Sequence, residues 1–391
     1  MSGPLSGLRI LDLTRLLPGG YATLMLGDLG ADVLKIEEPG KGDYIRWTPP
    51  IVGEFSAAHI ALNRNKRSMT LNLKTDEGRG IFSDLAATAD VVIESFRPGV
   101  MDRLGVGWSA LRDRNERLVY CAISGYGQTG PRSQAAGHDV NYIGYAGVLG
   151  INGEEGRRPV IPGVQVGDLA GGGMAAAIAI LAALHRRDAT GTGDFCDISM
   201  ADGALSWLTI HAAEFSATST DPRREEMHLS GGHPCYRVYP ASDGYLSVGA
   251  LEPQFWSTLC DAVERPDLKD DAFAMGERRS EVISELELLF STKTRAEWMD
   301  LFEGRDVCVG PVNSFSETFV DDQFAARDMI FEEDVPGVGD WKHIGNPLKL
   351  TSAERSSMRL PPPKMDKHTD AVLTELGIAD RTEELRAAGV V

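Results

Sequence analysis

Apolar and polar positions along the first third of the chain fall into short blocks whose period changes from two to nearly four. Residues 8–13, 31–36, 90–94 and 118–123 are apolar runs of strand length, and 21–29 and 75–87 carry helical spacing. Strands separated by helices in this way predict a parallel, doubly wound α/β sheet. Ligands of such sheets lie beyond the carboxyl ends of the strands. Further on, the pattern predicts a long buried helix over 168–186, a strand over 195–198 and a helix over 201–215. The stretch 218–234 is rich in Ser, Thr, Pro, Gly and charge and reads as a linker.

After it the texture changes. Residues 236–239 and 245–248 read as a hairpin turning at Ser242-Asp243-Gly244, and helical patterns begin at Phe255, Arg279 and Arg295. Around Phe331 the chain becomes proline-rich and irregular, closing with short helices near Ala371 and Thr382. A length of 391 residues exceeds what one core usually serves. The expected organisation is a large domain over 1–216, a linker over 217–234, a small α+β domain over 235–328 and a C-terminal return to the large domain over 329–391.

Composition narrows the class. Hydrophobic residues make up 42% and charged residues 25%, as in ordinary globular chains. A net charge of −18 argues against a polyanion-binding surface, so neither nucleic acid nor a membrane is expected as a partner. An anionic ligand must then be met by basic residues gathered locally. Cys121, Cys196, Cys235, Cys260 and Cys308 are scattered, odd in number and form no C-x-x-C pair. They read as reduced, buried thiols of a cytoplasmic protein. The N-terminus runs directly into the first strand with no signal peptide pattern, and the apolar segment 174–184 is too short to span a bilayer.

Three acid–base candidates stand out. Gly137-His138-Asp139 follows the turn-rich run 125–136 and should lie on a loop entering a helix, near unsatisfied amides and the positive dipole end. That setting suits a neutral imidazole base and amides that hold an enolate oxygen, though a capping loop uses the same residues. Asp168, ahead of an almost uncharged helix, reads as an N-cap beside apolar packing. Gly171-Gly172-Gly173 behind it reads as a flexible gate. Glu252 ends the apolar run 248–251 and precedes a helix at Pro253, again a capping position.

The basic residues fall into groups. Arg64, Lys66, Arg67 and Lys74 form one, Arg97 and Arg103 another. Arg97 follows a strand and could grip phosphate bidentately; a solvated face is the plainer reading of such a run. Residues 35–43 lack the G-x-G-x-x-G and Walker patterns, so no NAD or ATP site is expected. No H-E-x-x-H, G-x-S-x-G or Cys/His cluster is present, which points away from a metal and a serine nucleophile.

These residues resemble the family III CoA-transferases, the CaiB/BaiF superfamily, which includes the α-methylacyl-CoA racemases. The resemblance runs over nearly the whole chain: Pro4-Leu5-Ser6-Gly7-Leu8-Arg9, Leu26-Gly27-Asp28-Leu29-Gly30-Ala31-Asp32-Val33, Asn65-Lys66-Arg67-Ser68, Phe96-Arg97-Pro98-Gly99-Val100 and Gly125-Tyr126-Gly127-Gln128-Thr129-Gly130-Pro131. It implies a Rossmann-like large domain with a smaller α+β domain in an interlocked homodimer. It also implies an acyl-CoA substrate, with coenzyme A as part of that substrate and no tightly bound cofactor.

Within the family, the aspartate matching Asp168 is a nucleophile in the transferases, forming an acyl-enzyme anhydride and then a CoA thioester. In the racemases it pairs with the histidine of a Gly-His-Asp-x-Asn-Tyr motif, here Gly137-His138-Asp139-Val140-Asn141-Tyr142. Many transferases carry an aromatic residue at that histidine, and the racemases also carry an acid matching Glu252. The resemblance therefore makes two-base epimerisation of 2-methyl-branched acyl-CoA by His138 and Asp168 the first expectation, with Glu252 sharing a hydrogen bond that raises the Asp168 carboxyl. CoA transfer between carboxylic acids is the second, and a non-catalytic subunit binding CoA thioesters the third. Matched by motif, the CoA contacts are Leu71, Asn72, Leu73, Lys74, Ser95, Phe96, Arg97, Arg103, Gly137, Asp139, Val140, Asn141 and Tyr142. Relatives often have arginine where this chain has Glu38, and Lys41 is the candidate to replace it.

Overall fold

Six strands build one parallel sheet in the computed structural model, which describes residues 3–353 and 357–391. They are β1 (Arg9–Asp12), β2 (Asp32–Glu37), β3 (Lys66–Thr70), β4 (Val91–Glu94), β5 (Val119–Ser124) and β6 (Phe195–Ser199), in the order β3-β2-β1-β4-β5-β6. Strand order reverses between β1 and β4, where Ile10 is in register with Val33 on one side and Val91 on the other. Both faces are buried, which is why most of these strands read as continuous apolar runs. Ile10, Val33, Ile93 and Ile123 pack with Met25 of the helix Leu16–Asp28 and with Ile180 of the helix Ala175–Thr190. Leu11, Leu34, Val92 and Tyr120 face Phe82 and Leu85 of the helix Asp76–Ala87. The C-terminal residues Val372, Leu385 and Val390 fill the same side.

Strand β3 lay hidden in the sequence because most of its buried residues, Lys66, Ser68 and Thr70, are polar. Lys66 Nζ is fully buried, 2.8 Å from Thr23 Oγ1, 3.0 Å from the Gly20 carbonyl and 3.6 Å from Asp12 Oδ2. Beside it Lys35 Nζ lies 3.0 Å from Asp43 Oδ2 and donates to the Thr14 carbonyl at 2.8 Å. Arg46 grips Glu37 through two bonds of 2.6 and 2.7 Å. Burial alone would raise the Asp12 carboxyl, but Lys35 and Lys66 hold it below its ordinary value. The expected basic cluster is thereby corrected. Arg64 is paired with Asp28, Lys66 lies beside Asp12, and Arg67 is paired with Asp32 and Glu375.

Other boundaries move as well. The helix expected over 168–186 is a π-helical segment, Gly167–Met174, running into Ala175–Thr190, and Gly191 ends it at φ 76°. By length and composition this 24-residue stretch could cross a membrane, but half of its most apolar window is buried and it packs as a core helix. The helix expected over 201–215 is two, Met200–Ser206 and Thr209–Thr218. A hairpin, Ile330–Val335 with Gly339–Ile344, occupies the region expected to be irregular.

The chain divides into two compact units. One comprises Met1–Val148, Pro162–Leu208 and Asp322–Val391; the other comprises Leu149–Ile161 and Thr209–Asp321. The large unit is therefore interrupted at 149–161, unlike the unbroken 1–216 expected. The second unit holds a three-stranded antiparallel sheet of Val309–Pro311, Gly244–Gly249 and Tyr236–Ala241, in that order, over a core containing Trp256, Phe290 and Trp298. The stretch expected as a linker is tied into this unit, since Arg237 pairs with Glu225 at 2.8 Å and Arg279 donates to the Glu225 carbonyl. Cys121, Cys235 and Cys260 are buried and Cys196 half-buried. Cys308, at φ 49° just before the strand Val309–Pro311, is exposed, contrary to the expected burial of every thiol.

Candidate active site

The loops leaving β1, β4 and β5 meet where the strand order reverses and enclose a cavity of about 520 Å³. Its wall includes Arg15, Leu16, Ser95, Phe96, Arg97, Ser124, Gly137, His138, Asn141, Tyr142 and Asp168. The large unit alone thus brings together His138, Asp168 and Arg97. Glu252 belongs to the second unit, at the N-cap of the helix Pro253–Ala262.

Asp168 is not the N-cap its sequence suggested; it sits in the first turn of the π-helical segment. The glycines behind it are closely packed and buried rather than a gate. A Cβ on Gly203 would stand 2.3 Å from the Gly171 carbonyl oxygen, and one on Gly173 would stand 2.8 Å from the Pro18 carbonyl oxygen. Backbone touches backbone there. Gly203→Ala is therefore expected to cost about 2 kcal/mol and to displace the turn carrying Asp168. A lowered urea midpoint together with reduced activity would bear this out; unchanged values for both would count against it.

The Asp168 carboxyl is raised to about 6, first by burial and then by the nearby carboxylate of Asp139, with His138 opposing. Asp139 Oδ1 also accepts the Asp168 N–H at 2.9 Å. His138 directly precedes the helix Asp139–Tyr145, and its N–H donates to Asn141 Oδ1 at 3.1 Å. Tyr142 Oη donates to the Gly137 carbonyl, and its ring fills the space where a Cβ on Gly137 or Gly125 would stand. The Gly-His-Asp-x-Asn-Tyr motif thus locks its own loop.

A second cavity of about 320 Å³ opens beside the first and shares Arg15 and Phe96 with it. Leu71, Asn72, Leu73 and Lys74 line it, along with Glu38 and Val100. Of the remaining expected contacts, Arg103 is exposed and Asp139 buried, and neither of them nor Val140 lines either cavity. Lys41 lies 3.4 Å from Glu38. The pattern along the sequence missed Arg15. Its backbone N–H donates to Ser95 Oγ at 3.0 Å, and its guanidinium lies 5.4 Å from the Tyr44 ring and 5.2 Å from the Phe96 ring. Its position just past β1, at a reversal of strand order, is the signal that could have found it.

A parallel α/β protein with a half-buried carboxyl of raised pKa at its switch point is the class that this geometry defines. The chain matches CoA-transferase family III over residues 5–369 and belongs to that family. It is 37% identical to succinyl-CoA:glutarate CoA-transferase of Homo sapiens over 99% of this chain and 90% of that protein. Alpha-methylacyl-CoA racemase of Homo sapiens is 33% identical, over 96% of this chain and 94% of its own. Among solved structures, a CAIB/BAIF family protein from Brucella suis superposes with a TM-score of 0.83 at 34% identity, covering 96% of this chain and 100% of that one.

Proposed function

We propose that the chain transfers coenzyme A between carboxylic acids, with Asp168 as nucleophile. The observation that carries this reading is a half-buried carboxyl of raised pKa on the wall of the switch-point cavity. A carboxylate oxygen of Asp168 attacks the thioester carbonyl, the C–S bond breaks, and the thiolate leaves with the electron pair, giving a mixed anhydride. The thiolate then attacks the aspartyl carbonyl, releasing the donor acid and leaving an aspartyl-CoA thioester. An acceptor carboxylate attacks that thioester, whose C–S bond breaks to release the thiolate and leave a second mixed anhydride. The thiolate finally takes the acceptor acyl group and frees Asp168. Among the relatives, the 37% identical protein carries a transferase name and the 33% identical one a racemase name, which favours transfer over the epimerisation expected first.

Epimerisation keeps one specific observation in its favour: His138 lines the same cavity as Asp168 and bears on its carboxyl. Two bases flanking an α-carbon exchange its proton with solvent. The two readings separate in one experiment, run with a panel of acyl-CoA donors and free acids in deuterium oxide. Transfer predicts new thioesters and ping-pong kinetics, with no deuterium at the α-carbon. Deuterium incorporation without any new thioester would overturn it in favour of epimerisation.

The pH dependence follows from the Asp168 carboxyl, raised to about 6. Only its ionised form attacks. Log kcat/KM for the donor is therefore expected to be level above about pH 7 and to fall as pH drops through about 6, approaching one unit per pH unit. A flat profile down to pH 5 would speak against Asp168 as the titrating nucleophile. We also take the working form to be a homodimer, because Ile178, Leu205 and Trp207 are exposed apolar side chains in the large unit. Sedimentation at micromolar concentration tests this, and a monomer would refute it.

A further inference from the structure

We propose that Glu38 is an internal stand-in for the phosphates of the thioester, holding the cations at the mouth of the second cavity until the nucleotide displaces it. This rests on the reading of the chain as an enzyme of acyl-CoA. A CoA thioester has a nucleotide and a pantetheine arm joined through a pyrophosphate, and the two cavities share Arg15 and Phe96 in their walls. The first contains Asp168; the second offers Leu71, Leu73 and Val100 as apolar walls for a flat ring. A molecule lying in both must pass Arg15, which lines each.

The cations at that passage are already engaged. Glu38 Oε1 lies 2.8 Å from Lys74 Nζ and 3.4 Å from Lys41 Nζ, and Oε2 lies 3.7 Å from Arg15 Nη2. Three basic residues on three loops thus converge on one carboxylate in a chain whose net charge is −18. The other acids of this cavity are committed elsewhere, Glu37 to Arg46 and Asp43 to Lys35. Glu38 differs from them. Its side chain is 24% exposed and those of Lys41 and Lys74 are 67% exposed, so all three can turn outward without burying a charge. An arriving polyphosphate meets cations that suit it and a carboxylate that repels it. The cost of parting Glu38 from its partners is then subtracted from binding, which makes Glu38 a determinant of affinity for the charged end of the substrate.

The test is calorimetric titration of the full chain and of Glu38→Gln with coenzyme A and with pantetheine, at low and at moderate salt. Glutamine keeps the size and removes the charge. Coenzyme A is expected to bind the variant about tenfold more tightly, with a steeper loss of affinity as salt rises, and pantetheine to bind both proteins alike. Equal or weaker binding of coenzyme A by the variant would overturn the proposal, as would an equal gain for pantetheine, which carries no phosphate. If neither protein binds coenzyme A, the acyl-CoA reading itself falls and this inference with it.

Discussion

Asp168→Asn is expected to lower CoA transfer by about 10⁴-fold while leaving coenzyme A binding within a few-fold of wild type. Asparagine has nearly the same shape and keeps the backbone bond from residue 168 to Asp139 Oδ1, so the turn should stay in place. Its amide cannot form an anhydride or a CoA thioester, so the covalent route closes. Stability should move the other way. The carboxyl is held half-buried beside the Asp139 carboxylate, and its ionised form costs free energy in the folded chain at neutral pH. Removing that charge is expected to leave the urea midpoint unchanged or higher, as for many residues kept for chemistry rather than folding. A variant that retained a tenth of the activity would contradict the assignment. One that lost activity only by unfolding would leave Asp168 a structural residue.

The second large effect concerns the buried charges beneath the site. Lys35→Met is expected to destabilise the chain by about 3–5 kcal/mol, because one partner of a fully buried ion pair disappears. Methionine fills the volume but leaves the buried carboxylates of Asp43 and Asp12 without that cation. The effect should reach the site. Lys35 Nζ holds the Thr14 carbonyl, and Asp43 Oδ1 accepts the Leu16 N–H at 3.0 Å, so the turn carrying Arg15 loses one anchor outright and the other loses its counterion. Urea unfolding of the single variant and of a Lys35→Met, Asp43→Leu double variant decides the matter. The double variant should recover part of the loss. A single variant within 1 kcal/mol of wild type would show that the pair is not the support argued here.

The sequence revealed the parts of this fold whose physics is local. Strands β1, β2, β4 and β5 stood out because a parallel sheet covered on both faces buries every side chain of a short run. Strand β3 did not, because its lysine is satisfied by Asp12 and Thr23 on elements distant in the chain, and no local pattern announces a buried ion pair. For the same reason the run from Arg64 to Arg67 looked like a cation patch, when the folded chain turns each of these basic residues onto an acid. Residues 330–344 hid a hairpin because three consecutive acids, Glu332-Glu333-Asp334, followed by Pro336-Gly337, resemble irregular chain.

The site was legible to a different depth. His138, Asp168 and Arg97 were singled out by motif and position, and one cavity gathers them. What surrounds Asp168 was not legible. That Asp139 would hold its N–H and raise its carboxyl, or that Gly171 and Gly203 would bring two helices into backbone contact, depends on tertiary approach alone. Arg15 escaped because a single arginine after a strand carries no signal until the strand order is known.

The account stands on a covalent intermediate at one carboxyl. Mixing the chain with an acyl-CoA donor, reducing with borohydride and sequencing the peptides by mass spectrometry reads it directly. Reduction of an aspartyl-CoA thioester should convert residue 168 to the corresponding alcohol, only when donor is present and never in Asp168→Asn. An intact Asp168 under conditions of measurable turnover, or reduction at any other acid, would contradict it.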